Sequence, residues 1–307
     1  MARQKPLFRR VAIVGFGLIG SSVARVLRRD GLAGEIVACD ASAEARARVL
    51  ALGIADRALA SPAAAVRGAD LVMLCTPVRS FGAIGAAMAR GLSKGAIVSD
   101  VGSVKGAVVE ALAPHIPRGV HLVPGHPIAG TENSGPDAGF AELFQGRWCV
   151  LTPPEGTSAR AVGRVAEFWR RAGMEIATMS PAHHDRVLAI TSHVPHLIAY
   201  TIVGTASDLE SVTRSEVIKY SAGGFRDFTR IAASDPTMWR DVFLSNKDAV
   251  LEMLQRFSED LTALQRAIRW GDGDALFDLF SRTRAVRRSI IEEGQDDDRP
   301  DFGRSDH

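Results

Sequence analysis

Three segments of this 307-residue chain hold residue types whose spacing supports chemistry. The first is Gly15-Phe16-Gly17-Leu18-Ile19-Gly20, which follows an apolar run directly and opens a helical pattern. In that context the first glycine permits a tight turn, the second lets backbone approach a pyrophosphate, and the third lets helix pack on strand. The helix amino terminus then offers unpaired N–H groups and partial positive charge to the phosphates. The others are Asp100-Val101-Gly102-Ser103-Val104-Lys105 and Gly125-His126-Pro127-Ile128-Ala129-Gly130-Thr131-Glu132. A dehydrogenase that takes a hydride from a carbinol carbon needs a base for the hydroxyl proton, and a histidine near neutrality such as His126 suits that role. Ser103 is a candidate to hydrogen-bond the same hydroxyl. Lys105 is read as an anion contact, a solvated surface charge or a helix-start partner.

Asp40 stands about twenty residues past the last glycine, where an acid accepts hydrogen bonds from ribose hydroxyls and repels a phosphate. No arginine follows it immediately, so NAD is expected over NADP. Thr76 and Pro77 end another apolar run and should line the cofactor, as do Leu18 and Ile19 within the glycine motif, because ligands of open sheets sit at strand carboxyl ends.

The elements that must position these groups show in the hydrophobic pattern. Short apolar runs at Val11–Val14, Ile36–Cys39, Leu71–Cys75, Ile97–Ser99, Val120–Val123 and Cys149–Leu151 alternate with helical stretches. That alternation predicts a doubly wound, Rossmann-type α/β domain with a parallel sheet, over residues 1–179. From about Ser180 the texture becomes helical, which predicts an all-α domain over 180–291. Val250, Leu254, Phe257, Leu261, Leu264 and Ile268 form a narrow seam at steps of four and three, and Leu276, Phe280, Thr283, Val286 and Ile290 continue it on a second helix. Those helices are expected to pair across a homodimer. Residues 292–307, with the acidic run Asp296 to Asp298, have little to bury and are expected to fray.

The 37 basic and 35 acidic residues are interspersed, which argues against a nucleic-acid partner. The basic first ten residues are too poor in apolar side chains for a signal peptide, and no run reads as a membrane helix, so a cytoplasmic protein is expected. Cys39, Cys75 and Cys149 lie far apart without metal-ligand spacing, consistent with reduced thiols and no metal site.

Taken together, the glycine motif, Gly102-Ser103-Val104-Lys105, the His126 to Glu132 loop, Ser192-His193-Val194-Pro195-His196, Asp227-Phe228-Thr229-Arg230-Ile231-Ala232 and Trp239-Arg240-Asp241 resemble the prephenate/arogenate (cyclohexadienyl) dehydrogenase family. The resemblance runs in order from about Val11 to about Ile291. It implies NAD-dependent oxidative decarboxylation of prephenate or arogenate in tyrosine biosynthesis. It makes His126 the catalytic histidine with Ser103 assisting, and Arg230 the grip on a substrate carboxylate, a role that suits a guanidinium fork. It also turns His193 or His196 toward substrate. Pro195 between them should kink their helix. Gly224 reads as part of a close-approach turn, Glu132 as a candidate for an ionic network at the entry, and Trp239 as packing between domains. The implied site is a cleft between the domains. A β-hydroxyacid dehydrogenase or imine reductase, or a non-catalytic NAD sensor, would share the first motif but would not need His126 together with Arg230.

Overall fold

The computed structural model describes residues 5–131, 133–208 and 223–292. Its strands are β1 (Phe8–Val14), β2 (Ala33–Cys39), β3 (Arg57–Leu59), β4 (Leu71–Leu74), β5 (Ile97–Asp100), β6 (His121–Leu122), β7 (Gly125–Pro127), β8 (Trp148–Leu151) and β9 (Glu175–Thr178). Six of them form a parallel sheet in the order β3-β2-β1-β4-β5-β6. This is the doubly wound order in which strand sequence reverses between β1 and β4.

Alternation within each strand explains why its runs are apolar throughout. Val11 and Ile13 of β1, Ile36 of β2, Leu71 and Met73 of β4 and Ile97 of β5 belong to one core. Ala12, Val14, Val37, Val72, Leu74 and Val98 belong to the other. Successive side chains point to opposite faces and both faces are covered, so apolar residues dominate, and the polar exceptions Ser99 and Asp100 at the end of β5 are themselves buried.

The expected single sheet is in fact two. β7, β8 and β9 make a separate three-stranded sheet, with β7 antiparallel and β9 parallel to the central β8. The run at Cys149–Leu151 is therefore the middle of the second sheet. Strands β3, β7 and β9 escape the hydrophobic pattern because each is an edge: β3 and β9 are partly solvated, and β7 carries Pro127, which a sheet tolerates at its border.

Helices α1 (Leu18–Arg29), α2 (Ala43–Ala51), α3 (Pro62–Ala65), α4 (Phe81–Met88), α5 (Lys105–Leu112) and α6 (Ala159–Arg171) connect these strands. α6 turns Ala161, Val165, Ala166, Phe168 and Trp169 inward, and Trp169 sits edge-on to Phe144 at 5.2 Å and Phe168 at 4.8 Å. Beyond β9 the described elements are helical: α7 (Pro181–Leu188), α8 (Val194–Asp208), α9 (Gly223–Thr229), α10 (Pro236–Ser245), α11 (Lys247–Trp270) and α12 (Gly273–Glu292). Ser180 caps α7 by accepting from His183 N, and Asp235 caps α10 by accepting from Met238 N.

Two compact units result. One runs through His193 and is rejoined by Ser234–Lys247; the other holds Val194–Ala233 and the chain from Asp248. The change of texture at Ser180 is thus not where the compact units part, because α7 and α10 lie with the sheets.

The predicted proline kink takes the form of a π-helical turn over Ala189–His193, after which Pro195 falls at the second residue of α8. Gly223 and Gly224 are not a turn; they open α9, and a Cβ on Gly224 would meet no neighbour. The helical run Pro181–Asp208 also passes, on length and mean hydropathy, the test for crossing a membrane, which residue-by-residue reading did not register. Its polar His184, Asp185 and His193 are buried, and each is hydrogen-bonded within the sheet-bearing unit.

Candidate active site

The glycine motif has the geometry it requires. Gly15 adopts φ +94°, and a Cβ there would lie 2.7 Å from Thr76 Cγ2; at Gly20 it would lie on the carbonyl oxygen of Gly15. Around Gly17 the corresponding space is open. Gly17 caps α1 without any side-chain hydrogen bond, and no acidic residue occupies the helix's first turn. The N–H groups of that turn are therefore directed at a space suited to a diphosphate. Asp40 follows β2, and its carboxylate accepts from Phe16 N at 3.0 Å and Ser42 N at 2.9 Å. Those two bonds fix the acid beside the glycine turn while leaving lone pairs for ribose hydroxyls. Ser80 Oγ donates to the carbonyl of Pro77 at 2.7 Å and lies 2.8 Å from Thr76 Oγ1, which holds the Thr76-Pro77 turn rigid.

Contacts then run along the carboxyl ends of the parallel strands. The loop after β1 meets Thr76 after β4, and a Cβ on Gly102 after β5 would lie 2.6 Å from Val78 and 2.9 Å from Asp100 Oδ2. Gly125 N donates to Asp100 Oδ1 at 3.2 Å, which brings in β7 and His126. Ser103 occupies the loop between β5 and α5.

Lys105 is not a surface charge: it opens α5, and the anion its ammonium meets lies within the protein. The side chains of Lys105 and Asp100 are both fully buried, with Nζ donating to Asp100 Oδ2 at 2.6 Å and to the Gly125 carbonyl at 2.6 Å. Gly102 N adds a further bond to Asp100 at 2.7 Å. The pair ties the Ser103 loop to the His126 strand. Burial pushes the Asp100 carboxyl up and the Lys105 ammonium down, and their mutual attraction opposes both shifts.

His126 sits on β7 opposite Val150, where a loop was expected. It is half-buried, and its Nδ1 lies 2.9 Å from His184 Nε2. His184 Nδ1 in turn lies 2.7 Å from Asp185 Oδ1. Burial, then the neighbouring His184, Lys105 and His193, hold His126 well below its ordinary value. Burial lowers His184 as well, against the pull of Asp185. For Asp185, burial acts upward, but the bond from His184 and the N–H groups of Lys105 and Gly106 outweigh it and hold the carboxyl low. Those two N–H groups, at 2.7 and 2.8 Å, begin α5, so Asp185 also supplies the cap that Val104 cannot.

His193 is buried at the end of the π turn, with Nδ1 3.1 Å from Asn246 Nδ2, which also donates to the Asp185 carbonyl at 2.8 Å. Trp239 packs edge-on to His193 at 6.0 Å and beside Phe243 at 5.5 Å, both residues of the sheet-bearing unit. His196 lies in α8, Gly224 in α9, and Arg230 opens a 3-10 turn with its side chain exposed; all three belong to the helical unit. Glu132 lies outside the described residues.

Sequence reasoning missed Asp100, His184, Asp185 and Asn246. The available signal was a charged and imidazole-bearing pair, His184-Asp185, inside a helix otherwise leading into an apolar stretch.

Residues 23–178 match the family described as "Prephenate dehydrogenase, nucleotide-binding domain", and residues 180–282 match "Prephenate dehydrogenase, dimerization domain". The chain is 45% identical to a cyclohexadienyl dehydrogenase of Zymomonas mobilis, over 92% of this chain and 97% of that protein. It is 32% identical to a Bacillus subtilis prephenate dehydrogenase, over 91% and 76%. Among solved structures, prephenate dehydrogenase from A. aeolicus, in complex with hydroxyphenyl propionate and NAD+, superposes with TM-score 0.86 and 36% identity, covering 94% of this chain and 100% of that one. Synechocystis arogenate dehydrogenase follows with TM-score 0.80 and 26% identity, over 92% and 99%. With matches of this extent in both halves, the chain belongs to the prephenate dehydrogenase family of oxidoreductases.

Proposed function

We propose that this enzyme oxidises and decarboxylates prephenate, arogenate or both, in tyrosine biosynthesis. The observation that carries the reading is the continuous row of contacts from the Gly15 turn through Thr76, Gly102 and Asp100 to the neutral His126. In this reading the dinucleotide cradle lies at the carboxyl ends of the parallel strands and the proton acceptor on β7 of the adjoining sheet, joined to them through Asp100.

Gly15, Gly17, Leu18, Ile19, Gly20, Asp40, Thr76 and Pro77 would hold and orient NAD, which would supply the acceptor for the hydride leaving the ring carbon that bears the hydroxyl. His126 takes the hydroxyl proton and Ser103 hydrogen-bonds the same oxygen. The ring C–carboxylate bond then breaks, its electron pair enters the ring, carbon dioxide leaves, and the ring becomes aromatic. Arg230 grips a substrate carboxylate through its guanidinium fork, with His193, His196 and Gly224 completing the substrate site. Lys105 acts from beneath, by locking the Ser103 loop to the strand that bears His126.

The working form is a homodimer. Ile268, Trp270 and Phe277 are 68%, 74% and 71% exposed on α11 and α12, more apolar surface than isolated helices leave to water. A cytoplasmic location accords with three free cysteines, of which burial pushes Cys39 up to about 11.

The test is purified protein with NAD and either prephenate or arogenate, following NADH by absorbance and the aromatic product by chromatography. Formation of both from one substrate or the other is the expected result. Tight NAD binding with no NADH from either would overturn the reading.

A further inference from the structure

We infer that His184, backed by Asp185, is a positioning residue that fixes the proton of His126 on Nδ1 and so keeps the lone pair of its Nε2 available for the substrate hydroxyl. The inference rests on His126 being the base. It follows from the direction in which each hydrogen bond has to run.

Asp185 is ionised, so it can only accept, and its oxygens already take the N–H groups of Lys105 and Gly106. His184 Nδ1, 2.7 Å from Oδ1, therefore carries a proton. A neutral imidazole protonated at Nδ1 has a bare Nε2. That bare nitrogen lies 2.9 Å from His126 Nδ1, and the only bond the pair can form has His126 donating. His126, neutral in its turn, keeps its lone pair on Nε2. The opposite tautomer would set two lone pairs against each other in a buried place.

Asp185 is itself firmly anchored, since its carboxylate caps α5 and its carbonyl is held by Asn246. The charged and titratable groups around His126 are Lys105 and Asp100 from α5 and β5, His184 and Asp185 from α7, and His193 from the π turn. Because a neutral ring stands between His126 and the carboxylate, the base gains orientation without the increase in basicity that a directly bonded carboxylate would give it. In turnover the hydroxyl proton goes to Nε2, His126 becomes an imidazolium that still donates from Nδ1 to His184, and Asp185 stays ionised.

Selective ¹⁵N labelling of the 8 histidines, with His126 assigned by the signal lost in His126→Asn, reads the tautomer directly. The expected spectrum shows His126 protonated at Nδ1. His184→Phe keeps a ring but removes both nitrogens; His126 should then shift to the Nε2–H form or a mixture. Its kcat should fall on the order of 10²-fold, within the range general bases contribute, with little change in KM for NAD. His184→Gln, whose amide oxygen can accept from His126, should restore the native tautomer and most of the rate. His126 protonated at Nε2 in the unmodified enzyme overturns the inference. So does a folded, NAD-binding His184→Phe enzyme with unchanged tautomer and kcat. If His184→Phe does not fold, the spectra of the unmodified enzyme and of His184→Gln decide the matter. Should His126→Asn retain full turnover, the base assignment fails by itself, while the spectra still report on His184.

Discussion

The sheet-bearing unit keeps several charged and imidazole side chains inside. Asp100 and Lys105 are fully buried, His184 and His193 nearly so, and each has a named partner at hydrogen-bond distance. In the helical unit large apolar side chains are outside: Leu261, Ile268, Trp270, Phe277, Phe280 and Val286 all face solvent in the single chain. Desolvating charge is costly, and a fold keeps buried charge only where the geometry satisfies it. Exposing this much apolar surface is also costly, and a second surface can remove that cost. The first unit thus satisfies its buried charge from within, whereas the second carries an apolar surface suited to a partner.

The largest effect that would break this contrast belongs to the inside charges. Replacing His126 by Asn should lower turnover about 10²- to 10⁴-fold, the usual share of a general base, while calorimetry shows NAD still bound. Unchanged turnover would remove His126 from the chemistry and leave the buried network purely structural. Next comes Lys105→Met, which strands Asp100 without its partner. Breaking a buried pair costs about 3–5 kcal/mol, read as a lower midpoint in denaturant for the sheet-bearing unit. If the midpoint holds, Asp100 was never charged in the fold. On the other side, Ile268→Asp and Phe277→Asp should weaken self-association and leave the circular dichroism of the protein unaltered. Fully burying one such side chain contributes roughly 1.5–3 kcal/mol, so each change should raise the dissociation constant about tenfold or more by analytical ultracentrifugation. A chain monomeric from the start would sink the dimer reading.

The same contrast governs what could be read in the sequence. The central strands were legible because two cores take up, on opposite faces, the alternating apolar residues of the runs in β1, β4 and β5. Edge strands β3, β7 and β9 were not, since half-solvated or proline-bearing strands lose that pattern. The glycine turn was legible because close approach dictates Gly15 and Gly20 locally. That Lys105 is buried was not legible, as a lysine reads as solvated until its partners are known: Asp100 lies five residues away, but the Gly125 carbonyl lies twenty away. His184 contacts His126 across 58 residues, and no local spacing encodes that meeting. Sequence thus discloses what local geometry requires and hides buried polar networks, whose members come from distant elements.

Buried imidazoles leave a further, smaller signature in the pH dependence of stability. His126 and His184 both have folded-state values below the ordinary one. The unfolded chain therefore binds more protons than the fold once pH drops through about 6.5, and stability must rise with pH across that window. The contribution is fully present above the unfolded value and is lost as pH falls toward the folded one. Asp185, also depressed, acts with the same sign nearer pH 4. Between pH 7 and 5 the melting temperature should therefore fall, and His184→Gln should make that fall shallower. Turnover should hold over the upper part of that range and decline only at lower pH, because His126 stays neutral below the ordinary histidine value. A melting temperature indifferent to pH there would mean that both rings are as accessible to protons in the fold as in the unfolded chain, and the contrast between an inside of satisfied charge and an outside of apolar helix would lose its first half.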